Sequence, residues 1–365
     1  MLFFVCFLTF VRADAQNVTV AGANPATPNG TYPTLAQAFI AINTQLQNFT
    51  NIVITITGNT TEPAAGAILN QNAGAWTSLR IQPSGVRTVQ GTCNTGPLID
   101  LNGADNVTID GLNSGGNSLT LQNLDSSAAI ATVRFQADAR FNTLINLRIN
   151  GASRGSFNNI AQGATIWFAT GSSLGNDNNR VENCDIGPVA GALGPSLPHT
   201  PIKSFASAAI SNDNITITNN RIFDYFSTGS QSNGKGVLAF TGSSAWTITN
   251  NRIFQTATRR WSTGGSGTFE NIYNCIQVEA GSGYLISDNV LGFANASGTG
   301  FTIIVPNGFP GNNYASMIQA IIFNPSTGTA STISNNTIAG FDLTSSRSKT
   351  SAGENIFFGI YITGA

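Results

Sequence analysis

The chain has 365 residues, 41% of them apolar, enough to bury a large core in a single elongated domain. Its formal net charge is −1, with 16 Lys and Arg against 17 Asp and Glu, which excludes the basic surface that nucleic-acid binding requires. Only 9% of residues are charged, against about 25% in ordinary soluble domains, so Ser, Thr, Asn and Gly must cover the exterior and acid-base groups are scarce.

In chain order, Leu2–Val11 is an apolar run, and Ala13–Gln16 follows as a small-residue cleavage site. The pattern predicts a signal peptide over residues 1–16, with a buried β-strand as the alternative reading. The run is too short to span a bilayer, no later segment is apolar enough, and the positive n-region is missing. Export would remove Cys6 and leave Cys93, Cys184 and Cys275. Three is an odd number and no Cys-x-x-Cys spacing exists, so Cys184 and Cys275 read as small buried hydrophobes. Residues 17–50 form an N-terminal segment whose period changes at Thr34. That residue caps a helix in which Leu35, Ala38, Phe39 and Ile42 fall on one face. An amphipathic helix there would close the first end of a repeat array.

Strands begin at Asn51–Thr57 and continue at Leu79–Gln82 and Leu98–Gly111. A repeat then takes over. Ile-Thr-Ile-Thr-Asn-Asn-Arg-Ile-Phe at 215–223 returns as Trp-Thr-Ile-Thr-Asn-Asn-Arg-Ile-Phe at 246–254, with weaker copies at 144–149, 181–186, 286–291 and 333–338. Alignment places Asn146, Asn183, Asn219, Asn250, Asp288 and Asn335 in one column, 31 to 47 residues apart. Each copy is accompanied by a second alternating run, such as Gly236–Phe240 or Asn274–Val278. One period therefore reads as strand, short turn, strand, bend, strand, loop. The tight hairpins of a propeller blade are not placed for that architecture. A parallel β-helix fits, because coils stacked about 4.8 Å apart bring identical residues into columns. Asn tolerates a left-handed bend, and stacked amides can bond along the axis, so the column predicts a structural Asn ladder.

The Leu98–Gly111 stretch, Tyr32-Pro-Thr-Leu and the Ile56–Glu62 run resemble the large secreted β-helix proteins of Gram-negative bacteria that share the pectin-lyase-like fold. Those proteins often carry a type IX secretion tag. The resemblance implies an all-β, right-handed parallel β-helix over residues 51–365 with an N-terminal capping α-helix, on the surface of or secreted from a Gram-negative cell. Phe358–Ala365 stops halfway through a period, so the solenoid is expected to continue beyond the end of the sequence.

The connections after the Asn strand are long, as at 187–207, 226–235, 256–272, 293–316 and 341–356. Stacked at one corner, they predict a binding face carrying His199, Lys203, Arg259, Arg260, Trp261, Tyr314 and Arg347. Arg259, Arg260 and Trp261 are the candidate ligand-binding cluster, since Trp and Arg can stack on a sugar ring or donate to its carboxylate. Enzymes of the resembling fold use calcium held by clustered acids, or paired Asp with a His. Here no Asp-Asp pair occurs, His199 is alone in a proline-braced loop, and Asp100, Asp105 and Asp110 are spaced five apart. The expectation is thus a non-catalytic protein for adhesion or glycan contact, with no metal, no cofactor and no membrane span, and an extracellular polysaccharide or cell-surface glycan as partner. The alternative is a polysaccharide lyase or glycoside hydrolase whose acids meet only in the fold.

Overall fold

The computed structural model describes residues 15–70, 76–193, 196–228, 234–262, 271–306, 316–345 and 355–363. The apolar run at 2–11 with Cys6 and Ala13, as well as Tyr314 and Arg347, lie outside them. Most strands fall in three long sheets of eleven, nine and nine strands. Successive coils visit the sheets in turn. Thr216–Thr218 lies in the first, Arg221–Phe223 in the second and Lys235–Ala239 in the third, and Thr247–Thr249 returns to the first. Each strand pairs in parallel with its counterpart one coil away, as Ile217 with Ile248 and Ile222 with Ile253. The molecule is a right-handed parallel β-helix with one α-helix among the described residues, and no helix there is long and apolar enough to cross a membrane.

Alternation along the short strands turns one residue per strand inward, and stacking joins these into columns. In the first sheet Ile81, Ile109, Leu144, Val181, Ile217, Ile248 and Ile286 follow one another coil by coil, each at most 1% exposed. In the third, Phe135 stacks on Phe168 at 4.7 Å, and the edge of Trp246 closes on Phe168 at 5.5 Å. Cys93, Cys184 and Cys275 are free and buried, and burial raises their thiols to about 11, 12 and 12, so they serve as packing groups.

The bend between the first and second sheets corrects the predicted ladder. Asn146, Asn183, Asn219, Asn250, Asp288 and Asn335 all take the left-handed backbone, with φ of 57, 54, 57, 58, 59 and 55°. That conformation turns their side chains outward: all but the half-buried Asn146 are exposed. The ladder belongs to the next residue, which re-enters the core. The Asn220 N–H and Nδ2 both donate to Asn251 Oδ1 at 3.0 Å, Asn251 repeats this to Asn289 Oδ1 at 3.0 Å, and Asn289 does so to Asn336 Oδ1. The remaining amide hydrogens go to the carbonyls of Val181, Ile217 and Ile248 in the coil before. Every polar atom of these side chains is thereby matched in a dry interior. The same left-handed geometry recurs at the other end of the first-sheet strands, at Asn106, Phe141, Asn178, Asn214 and Ala245, followed by a shorter buried Asn142–Asn179 pair.

The helix Leu35–Asn43 is capped by Thr34, whose Oγ1 accepts from Gln37 N. Leu35, Phe39 and Ile42 are fully buried. Glu62, 4% exposed, places its carboxylate on the N–H groups of Leu35 and Ala36 at 3.1 and 2.8 Å, where the helix dipole favours an anion. Asn43, the last helical residue, pairs with the outermost strand of the third sheet, donating to Ile68 O and accepting from Asn70 N. The helix thus covers both the open core and a free strand edge.

Candidate functional site

Described parts of three long connections stack as structure rather than as free loops. Arg259–Trp261, Thr302–Pro306 and Phe341–Leu343 form a small parallel sheet of their own. Of the predicted ligand cluster only Arg260 is exposed. Arg259 is 7% exposed and held by the Asp224 carboxylate and Gln255 Oε1. Trp261 is 1% exposed, with its ring 5.2 Å from Phe226. Neither can present a face to a sugar, because an indole sealed against Phe226 has no free π surface. The structure therefore does not bring Arg259, Arg260 and Trp261 together as a ligand site.

The other candidates of that corner are also absorbed. Lys203 lies in a third-sheet strand, Ile202–Ser204, and its Nζ donates to the carbonyls of Ser156, Asn159 and Gln162 at 2.9, 2.8 and 2.7 Å. His199 is half-buried, and burial holds its ring down to about 4, neutral at pH 7. The acids are equally occupied. Asp100 accepts from Arg134 and Gln136, Asp110 from Arg80 and Asn146, and Asp105 pairs with Arg140. Burial alone would raise the Asp138 carboxyl, but the N–H groups of Ser173, Leu174 and Ser172 with the Ser173 hydroxyl outweigh it and hold it at about 2. Among the described residues no three His, Cys, Asp or Glu side chains converge as a metal site.

A groove of about 420 Å³ runs along the outside of the second sheet, across four coils. One wall is the row of outward amides, Asn113, Asn146, Asn183 and Asn219. Its floor includes Arg148, Asp185 and Arg221, which occupy one register position on neighbouring strands, and Arg252 extends that row by one coil. Asp185 is engaged by Arg221 through both oxygens. Arg148 and Arg252 are exposed and make no ion pair among the described residues.

No protein-family model matches the sequence, and no curated protein matches it. Among solved structures, the crystal structure of PfbA, a surface adhesin of Streptococcus pneumoniae, is similar over 84% of this chain and 86% of its own, at 13% identity and a TM-score of 0.43.

The row carries three guanidinium groups against one carboxylate, spaced at the coil rise of about 4.8 Å. Such a strip offers planar, paired N–H donors to oxyanions and amide donors and acceptors to hydroxyls, on a backbone fixed by three sheets. The sequence contains its signal. In the repeated Asn-Asn-Arg-Ile-Phe the Arg precedes an inward Ile, so strand alternation alone turns it out beside the exposed Asn.

Proposed function

We propose that the protein is an exported or cell-surface scaffold that binds an extended acidic polysaccharide along the groove of the second sheet, without turning it over. The observation that carries this reading is the row Arg148, Asp185, Arg221 and Arg252 beside the outward amides of Asn146, Asn183 and Asn219. A linear polymer with repeated carboxylates meets this strip in several successive coils, so weak contacts add along its length. The engagement of Asp100, Asp105, Asp110, Asp185 and Asp224 by arginines, and the neutral His199, favour binding over acid-base chemistry.

The test uses polygalacturonate and alginate as acidic probes and dextran as the neutral control. Binding to the acidic probes is expected to weaken with salt, and in the Arg148→Ala, Arg252→Ala double variant to fall about tenfold, given roughly 0.7 kcal/mol for each exposed ion pair. Equal binding of dextran, or a double variant that binds as the parent does, overturns the groove as the site. Release of unsaturated or reducing ends from either probe overturns the non-catalytic reading.

A further inference from the structure

Two lysines are buried at the third sheet, and they differ in what surrounds the amine. Lys203 has three carbonyl acceptors, one for each N–H of an ammonium group. Lys235 is 3% exposed, yet among the described residues its Nζ meets a single hydrogen-bond acceptor, Asn274 Oδ1, with the ring of Phe157 at 5.0 Å. An ammonium there would bury two donors without an acceptor, a cost that the Phe157 face and Glu279 offset only in part, so the neutral amine, a nucleophile, is within reach at neutral pH. Burial pushes both amines down to about 7, at Lys235 against the opposing charge of Glu279, so it is the acceptor count that separates them.

The electrophile is already in place. Lys235 and Asn274 are register partners on adjacent parallel strands, in neighbouring coils. Asn274 is fully buried, and its Nδ2 is held by the Gln319 carbonyl at 3.0 Å, which fixes the plane of the amide against Nζ. The Phe157 ring beside Nζ packs in turn on Phe240, with centroids 6.1 Å apart. The contact with Oδ1 brings Nζ one bond away from the amide carbon, and a buried pair already ordered by the fold loses little further entropy on reacting.

We propose that Lys235 and Asn274 join spontaneously through an amide bond that cross-links two coils. The Nζ lone pair attacks Asn274 Cγ, a proton passes from Nζ to Nδ2, the Cγ–Nδ2 bond breaks, and ammonia leaves. One amide replaces another, nothing is oxidised or reduced, and no co-reactant is consumed.

Mass spectrometry of the denatured full chain tests this directly. The expected result is loss of one ammonia relative to the sequence, a branched tryptic peptide joining the segments around Lys235 and Asn274, and no tryptic cleavage after Lys235. The Asn274→Ala and Lys235→Arg variants are expected to regain the full mass and the two separate peptides. Should either variant fail to fold, the parent protein decides alone. Separate Lys235 and Asn274 peptides from the parent overturn the proposal. This includes the case where ammonia is lost elsewhere, for instance by succinimide formation at an exposed Asn.

Discussion

Replacing Asn251 by Ala removes the oxygen that accepts both the backbone N–H and the side-chain amide of Asn220, and it leaves the Ile217 carbonyl without its donor. Its neighbour Asn250 has φ of 58° and an exposed side chain, so its contribution is conformational. The two substitutions are therefore expected to separate. Asn251→Ala costs about 1–3 kcal/mol for each buried group left unmatched, whereas Asn250→Gly keeps the bend at no steric cost and changes stability by only a few tenths of a kcal/mol. Urea unfolding of both variants measures the difference, and equal losses would mean that the ladder has been assigned to the wrong residue. The same distinction explains the outward groove wall. A left-handed residue at each bend must point its side chain away from the core, so the residues that shape the turn also line the surface beside Arg148 and Arg221.

The helix Leu35–Asn43 closes one end of the solenoid through three separate contacts: its apolar face, the Glu62 carboxylate at its first turn, and Asn43 on the strand edge. Phe39→Ala is expected to cost about 3–5 kcal/mol, because the ring is fully buried and the strands below cannot collapse into the space. Thermal unfolding followed by circular dichroism reads this out, and an unchanged midpoint would show that the helix does not support the first coil. At this scale most of the fold was legible. The near-verbatim copies at 215–223 and 246–254 fixed the columns, and the change of period at Thr34 announced the helix. Two things were hidden for physical reasons. Two adjacent Asn leave open which one bends and which one re-enters, since that depends on φ rather than on residue type. The burial of Trp261 depends on connections of unequal length stacking into a separate three-stranded sheet, and no pattern within one connection encodes its neighbour's strand at Thr302–Pro306.

Over the whole molecule, the 31-residue step from Asn220 to Asn251 superposes two coils position for position, with Thr216–Thr218 on Thr247–Thr249 and Arg221–Phe223 on Arg252–Phe254. Deleting residues 220–250 joins Asn219 directly to Asn251 and leaves each of the three long sheets with a complete ladder one strand shorter. Such a protein is expected to fold with a cooperative transition, while a deletion four residues shorter, 220–246, is expected to fail because it misplaces the bend and turns inward residues out. Cooperative unfolding of both, or of neither, would contradict this. The consequence reaches beyond the experiment. A ladder whose every rung offers the same acceptor to the rung before it has no preferred number of rungs, so length in this architecture is inherited as an integer. Descendants can gain or lose reach in steps of about 4.8 Å, and a groove lined by an amide and a charged group at each turn would lengthen with them, its footprint on a polymer set by gene duplication instead of by point mutation.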